Sequence, residues 1–304
     1  MNILVLGGSG FLSGRFVQHA LAAGHQLICV TRGQKPLDPR ISQHISLPRE
    51  EIPYNLPDTI AYQVVVDFIG MNPEQLQQTI ALARKCQRLI MISSDYAYHP
   101  AHRPLFLREE QARFSDLPDY GGAKRQAEER ILHAQNNGMV QAIILRPPHI
   151  YGPGSWPGTI PKHGRRATLL EEIQSGKPLQ LLGGGLGLIQ PIHVDDLARI
   201  IVALLDNERA YGEDFTACGP DLLSHLDYYR TIAELLEQPL SVTPYCPEGP
   251  APDVNAYVGG HRCYDRSKLA RLLPEFTYTP FRLGMAEWVR HLIATSSSQQ
   301  RVKT

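Results

Sequence analysis

Met1-Asn2-Ile3-Leu4-Val5-Leu6, followed by Gly7-Gly8-Ser9-Gly10-Phe11-Leu12-Ser13-Gly14, opens the chain. Ile3 to Leu6 is a short apolar run that reads as a buried parallel strand. The glycines then turn the chain into a helix expected over Phe11 to Ala23, which stops at Gly24. A strand over Gln26 to Thr31 completes a β-α-β unit. Gly7 permits the tight turn, and Gly10 lets a pyrophosphate approach the backbone. At the helix start, Phe11 and Leu12, unpaired N–H groups and the helix dipole favour an anion. A glycine trio alone is weak, but between a strand and a helix it points to a dinucleotide site. The competing reading is a glycine-rich turn with no ligand.

A chain of 304 residues can bury a large core, as one domain or as two joined lobes. Its 30 basic residues balance its 30 acidic ones, so bulk charge gives no argument for nucleic acid or an anionic membrane. No apolar run is long enough to span a bilayer. The opening strand has no basic region before it and is not expected to be a signal peptide. Cys29, Cys86, Cys218, Cys246 and Cys263 are scattered without a C-x-x-C pair, so reduced thiols in a cytoplasmic protein are expected, and no metal site.

After the second strand comes Thr31-Arg32-Gly33-Gln34-Lys35, where such a fold meets the adenosine ribose. An acid there would accept from a free 2′-hydroxyl, but this chain offers Arg32. A guanidinium can hold a phosphate with paired hydrogen bonds, so NADP is expected rather than NAD. If Arg32 is an ordinary solvated arginine, Thr31 and main-chain groups would suit NAD. Residues 36 to 60 are proline-rich and hard to read, with His44 to Leu47 as a short third strand. Gln63 to Ile69 reads as a strand ending at Gly70, Pro73 to Cys86 as a helix, and Arg88 to Ser93 as a strand. This alternation indicates a doubly wound parallel sheet of the Rossmann type, with Gly70 and Ser94 facing the crevice of the glycine loop.

Ser94-Asp95-Tyr96 follows that strand, and Tyr120-Gly121-Gly122-Ala123-Lys124 opens an amphipathic helix to about Ala134. Tyr120 and Lys124 are four apart and share a helix face. A phenol is a poor base at neutral pH, since its ordinary pKa is near ~10. A neighbouring ammonium and an oxidised nicotinamide would lower that value. Tyr120 is thus the expected general acid/base, Lys124 its tuner and ribose holder, and Ser94 the orienter of substrate.

These motifs resemble the extended short-chain dehydrogenase/reductases, the NAD(P)-dependent epimerase/dehydratase family. The family's glycines are matched by Gly7, Gly8 and Gly10, with Ser13 at its last glycine and Gly14 one residue late. Its serine–tyrosine–lysine set falls on Ser94, Tyr120 and Lys124. Its R-P-x-x-x-Y-G-P segment is Arg146 to Pro153, its V-D-D segment is His193-Val194-Asp195-Asp196, and its D-x-S-K-x-x-x-L-L segment is Asp265 to Leu273. The glycine-loop and T-R-G wording resembles the branch that includes the chloroplast stem-loop-binding proteins.

The resemblance implies a dinucleotide-binding domain over 1–154 and a smaller substrate lobe mainly over 155–294 with some segments returning to the first domain, and the polar stretch 295–304 is expected to be a disordered tail. It places Pro147 near the nicotinamide and Ser94, Asp95, Tyr151, Arg165 and His193 on the substrate side. Arg165 or Arg166 would meet a substrate diphosphate, or else form a solvated helix approach. Tyr151 and Trp156 would pack on a substrate ring or anchor the loop in the core. His149 is read as a wall residue, Asp195-Asp196 as helix-capping acids, and Arg262 and Tyr264 as facing substrate. The helices opening near Pro73 and Tyr120 are the family's usual homodimer face. The expected function is hydride transfer at a hydroxyl- or carbonyl-bearing carbon of a small molecule such as a sugar nucleotide. Dehydration is the weaker option, because Asp95 is followed by Tyr96 rather than a second acid. The competing classes are an RNA-binding or scaffold protein on the same fold and a non-catalytic NADP redox sensor.

Overall fold

The computed structural model describes residues 1–159, 163–245 and 261–301. Six strands, β1 (Asn2–Leu6), β2 (Gln26–Thr31), β3 (Gln43–Ser46), β4 (Val64–Asp67), β5 (Arg88–Ile92) and β6 (Gln141–Leu145), pair in parallel in the order β6-β5-β4-β1-β2-β3. Asp214–Phe215 adds a seventh parallel strand beside β6. Alternate residues of β1 serve opposite faces of the sheet, which is why the run carries no polar position. Ile3 and Val5 pack with Phe16 and Val17 of helix α1 (Phe11–Ala22). Leu4 and Leu6 face the layer that holds Leu76, Ile80, Ala127 and Ile131.

The chain runs outward from β1 to β3, returns to β4 and runs outward the other way to β6. The strand order therefore reverses between β1 and β4, and a crevice opens above their carboxyl ends. Helix α2 (Ile52–Asn55) follows β3, and α3 (Pro73–Ala83) starts with Pro73 at its first position and Asn72 Oδ1 accepting from Gln75 N at 3.0 Å. It ends three residues before Cys86, where Gln87 takes a left-handed φ of 63°. Helix α4 (Tyr120–Asn136) is capped by Asp119, which accepts from Gly122 N at 3.0 Å.

The second lobe has its own core, in which Leu169 and Ile173 of α5 (Leu169–Gln174) meet Tyr228, Tyr229, Phe281 and Trp288. Leu179–Leu182 pairs with Val242–Tyr245; the rest of the proline-rich stretch 244–252, with Cys246, lies outside the described residues. Segments beyond residue 155 return to the central sheet and its core: the strand Asp214–Phe215 joins β6, helix α6 (Val194–Leu204) packs against α1, and Leu269 is buried in the same cluster. The acids of α6 do more than cap it. His193 is the N-cap, its Nδ1 accepting from Asp195 N at 3.3 Å, while Asp195 takes paired hydrogen bonds from Arg15 at 2.5 and 2.6 Å. Asp196 accepts from Thr279 N and Oγ1 at 2.7 and 2.8 Å.

The last helix runs Phe281–Arg301, past the Ile293 at which its apolar pattern fades and through positions read as a polar tail. Thr295 Oγ1 donates to His291 O and Leu292 O, both at 3.0 Å, so that hydroxyl is satisfied within the helix. Cys29, Cys86, Cys218 and Cys263 are unbridged. Among the described residues no helix is long and apolar enough to cross a membrane, and no group of His, Cys, Asp and Glu comes together to hold a metal.

Candidate active site

A cleft of about 990 Å³ runs along the carboxyl ends of the strands. One end is the glycine loop. Gly7 and Gly8 take φ of +110° and +125°, values that a Cβ disfavours, and a Cβ on Gly8 would press on Cys29 Sγ and Leu37 at 3.2 Å. Ser13, standing at the family's last glycine, accepts from Gly10 N at 2.9 Å and ties the loop to the first turn of α1. Gly7, Gly10, Phe11 and Leu12 line the cleft, and helix geometry leaves the Phe11 and Leu12 N–H groups without helical partners. A phosphate would fit this end.

Thr31, Arg32, Gln34 and Lys35 continue the wall from the end of β2. Thr31 Oγ1 accepts from Gly33 N at 3.1 Å, while Arg32 and Lys35 are exposed, with no ion pair among the described residues. Arg49 and Glu50, from the stretch hard to read, also line this end. Arg49 is anchored by Asp67 at 3.0 Å and by Gln75 O at 2.6 Å. The glycine cradle, the open helix N-terminus and the basic β2 end together fit a dinucleotide.

The opposite end gathers the chemistry. A Cβ on Gly121 would sit 2.2 Å from Tyr96 O, and one on Gly122 1.8 Å from Leu117 O. The two glycines let α4 approach the loop after β5 closely, so that Tyr120 and Ser94 line the same part of the cleft. Gly121→Ala is therefore expected to lower kcat about tenfold, since displaced reacting groups lose orientation. Steady-state kinetics of a soluble, folded variant check this.

Tyr120 remains 47% exposed at the cleft mouth, edge-on to Tyr96 with ring centroids 6.0 Å apart. Its phenol pKa is raised, first by burial of the hydroxyl end and then by Asp95 and Tyr96, against the lowering hydrogen bond of Ser94. This differs from the expectation that the ammonium four residues on would draw it down. Lys124 is buried and its Nζ is turned to Gly70 O at 2.7 Å and Ile92 O at 3.1 Å. Burial lowers the Lys124 pKa to about 8, against the raising charges of Asp67 and Glu128.

Ser94, Tyr120, Lys124, Pro147, His149 and Arg165 all line the cleft. Gly70, although not a lining residue, reaches the site through the carbonyl that Lys124 holds. Arg166 is paired with Glu172, so Arg165 is the arginine of the two that faces the cleft, with its guanidinium 5.2 Å from the Phe11 ring. His149 is kept well below the ordinary histidine pKa by burial and then by Arg165, Arg262 and His225, which makes it a neutral wall residue.

Asp95, Tyr151 and His193 are not among the described residues that line the cleft. Tyr151 packs in the second core against His193, Phe281 and Trp288. Asp95 is fully buried, and Arg262 donates to it twice, at 2.7 and 2.8 Å, and Tyr264 OH once at 2.6 Å. Burial pushes this carboxyl up, but Arg262, Arg103 and Tyr264 more than offset it and leave the pKa below the ordinary value. Arg262 itself lines the cleft, and its guanidinium lies 4.9 Å from the ring of Tyr96, a wall residue that the sequence pattern did not single out.

Residues 71–218 match the model of the NAD dependent epimerase/dehydratase family. The dTDP-4-dehydro-6-deoxy-D-allose reductase of Streptomyces bikiniensis is 25% identical, over 95% of this chain and 96% of its own length. The chloroplast stem-loop binding protein of 41 kDa b of Arabidopsis thaliana is 24% identical over 72% of this chain and 58% of its own. Among solved structures, dTDP-glucose 4,6-dehydratase from Bacillus anthracis in complex with NAD superposes with a TM-score of 0.80 at 19% identity, covering 98% of each chain.

Proposed function

We propose that the chain, whose residues 71–218 match the NAD dependent epimerase/dehydratase family and which resembles a reductase along nearly its whole length, is an NADP-dependent reductase or epimerase acting on a sugar nucleotide or a related small carbonyl compound. The observation that carries this reading is the convergence of Ser94, Tyr120 and Lys124 on one end of a cleft whose other end is the glycine loop. The glycine loop, Arg32 and Lys124 would hold the nicotinamide cofactor, which would supply or accept a hydride. Tyr120, held protonated by its raised pKa, donates its proton to the carbonyl oxygen in the reductive direction and removes it in the reverse. Ser94 orients that oxygen through its hydroxyl. Lys124, fixed on two main-chain carbonyls, presents its ammonium where ribose hydroxyls can accept from it. Asp95 has both carboxylate oxygens engaged and stays ionised, which disfavours a dehydratase role for it.

Arg32 and Lys35 favour NADP. Arg32→Ala is expected to weaken NADPH binding roughly tenfold to a hundredfold, the loss of hydrogen bonds to a charged group, and to leave NADH binding unchanged. Titration of both nucleotides, followed by nicotinamide fluorescence, decides it. Binding of NADH alone would sink the Arg32 argument and keep the enzyme. The similarity to the stem-loop binding protein supports the competing RNA-binding reading, and no binding of either nucleotide would bring it forward. In the enzymatic reading the protein works in the cytoplasm as a homodimer through the face formed by α3 and α4, with no nucleic-acid partner.

A further inference from the structure

Three cleft walls meet on one carboxylate outside the serine–tyrosine–lysine set. Glu128 lies two turns beyond Tyr120 and one beyond Lys124, on the same face of α4, and is fully buried. Ser93 Oγ, one residue before Ser94, donates to Glu128 Oε1 at 2.5 Å. Arg146, one residue before Pro147, donates to both Glu128 oxygens at 2.9 Å. Arg125 donates to Oε2 at 3.3 Å. Arg146 is itself buried and also engages Asp214 and Tyr98 OH.

We propose that Glu128 is the positioning residue of this site, a single buried carboxylate that ties α4 to the strand ends carrying Ser94 and Pro147 and keeps Lys124 a cation. The geometry gives it both tasks. Without Glu128, β5 and β6 would lose the shared acceptor that sets their ends against α4. The electrostatics agree. Lys124 is buried, and the charges raising its pKa are first Asp67 of β4, paired with Arg49, and then Glu128 of its own helix, paired with Arg146 and Arg125. The role Lys124 would fill in binding ribose rests on the functional reading above. The effect of Glu128 on Lys124 does not.

The test therefore reads Lys124 directly. In protein carrying lysine labelled with ¹³C at the ε position, with Lys124→Met to assign its signal, wild-type Lys124 is expected to titrate near pH 8. In Glu128→Gln the midpoint moves down by about one unit, because a charge that favours the ammonium is gone. Ser93→Ala keeps both buried charges, so its midpoint stays at the wild-type value while NADPH binding weakens several-fold at every pH. An unmoved midpoint in Glu128→Gln overturns the proposal. If that variant does not fold, wild-type NADPH affinity in Ser93→Ala overturns it instead. A wild-type protein that binds no NADPH, yet shows the Lys124 shift in Glu128→Gln, sinks the functional reading and supports the role of Glu128.

Discussion

Tyr120→Phe is expected to cut turnover by about 10²- to 10⁴-fold, the usual contribution of a positioned general acid/base, while NADPH affinity stays within about twofold. The substitution removes one oxygen. The ring remains, so the edge-on contact with Tyr96 and the packing of α4 against Tyr96 O through Gly121 are unchanged. Ser94 keeps its contact with Tyr96 N at 3.3 Å, so the loop after β5 holds its shape. The pH dependence has a sign that can be worked out. The Tyr120 pKa is raised, so the proton it donates in reduction is present through neutral pH and is lost only as pH rises through that elevated value. The reductive rate should be flat at neutral pH and fall on the alkaline side, and Tyr120→Phe should lack the part of that fall set by the phenol, keeping only the part set by Lys124 near pH 8. A variant retaining more than about a tenth of wild-type kcat would show that another group delivers the proton.

The parts of this site that could be read in the sequence are those whose determinants are local. The strand over Gln26–Thr31 falls at the bounds its apolar run sets, and the glycine loop declares itself by composition alone. β3 was the harder strand because Gln43 to Ser46 is an edge with no fully buried position, so it has no apolar signature. Arg49 and Glu50 reach the cleft from just beyond it and were missed for the same reason. Asp195 looked like a cap because its position in the first turn is visible locally, whereas its partners Arg15 and His19 lie on another helix. Tyr151 carried two readings until the packing of Phe281 and Trp288 put its ring in the core. The electrostatics of Tyr120 and Lys124 were the least legible of all. Lys124 donates to two main-chain carbonyls, and main-chain acceptors leave no mark on residue spacing.

The Asp95–Arg262 pair should be the most sensitive point for stability. It joins the residue after Ser94 to a strand-like segment that comes from the far end of the chain, where Ile189 bridges Arg262 and Leu107 bridges Tyr264. Arg262→Met leaves a buried carboxylate held by Tyr264 OH and, at 3.5 Å, by Ser94 Oγ, and breaking such a pair costs about 3–5 kcal/mol. Denaturant unfolding should show that loss as a lower midpoint with an unchanged slope. Asp95→Leu combined with Arg262→Met should recover most of it, because two apolar side chains need no counter-charge. The pH dependence separates this from simple packing loss. In the wild-type protein the Asp95 pKa is depressed, so the stability it contributes is present above the ordinary carboxylate value near ~3.9 and is lost as pH falls through the depressed folded value. In Arg262→Met the largest offset to burial is gone and the Asp95 pKa rises, so protonation relieves part of the penalty as pH falls. The gap between wild type and variant should therefore be widest at neutral pH and narrow toward pH ~4. A gap that stays constant with pH would mean that Arg262 contributes by packing on Tyr96 rather than by its charge on Asp95.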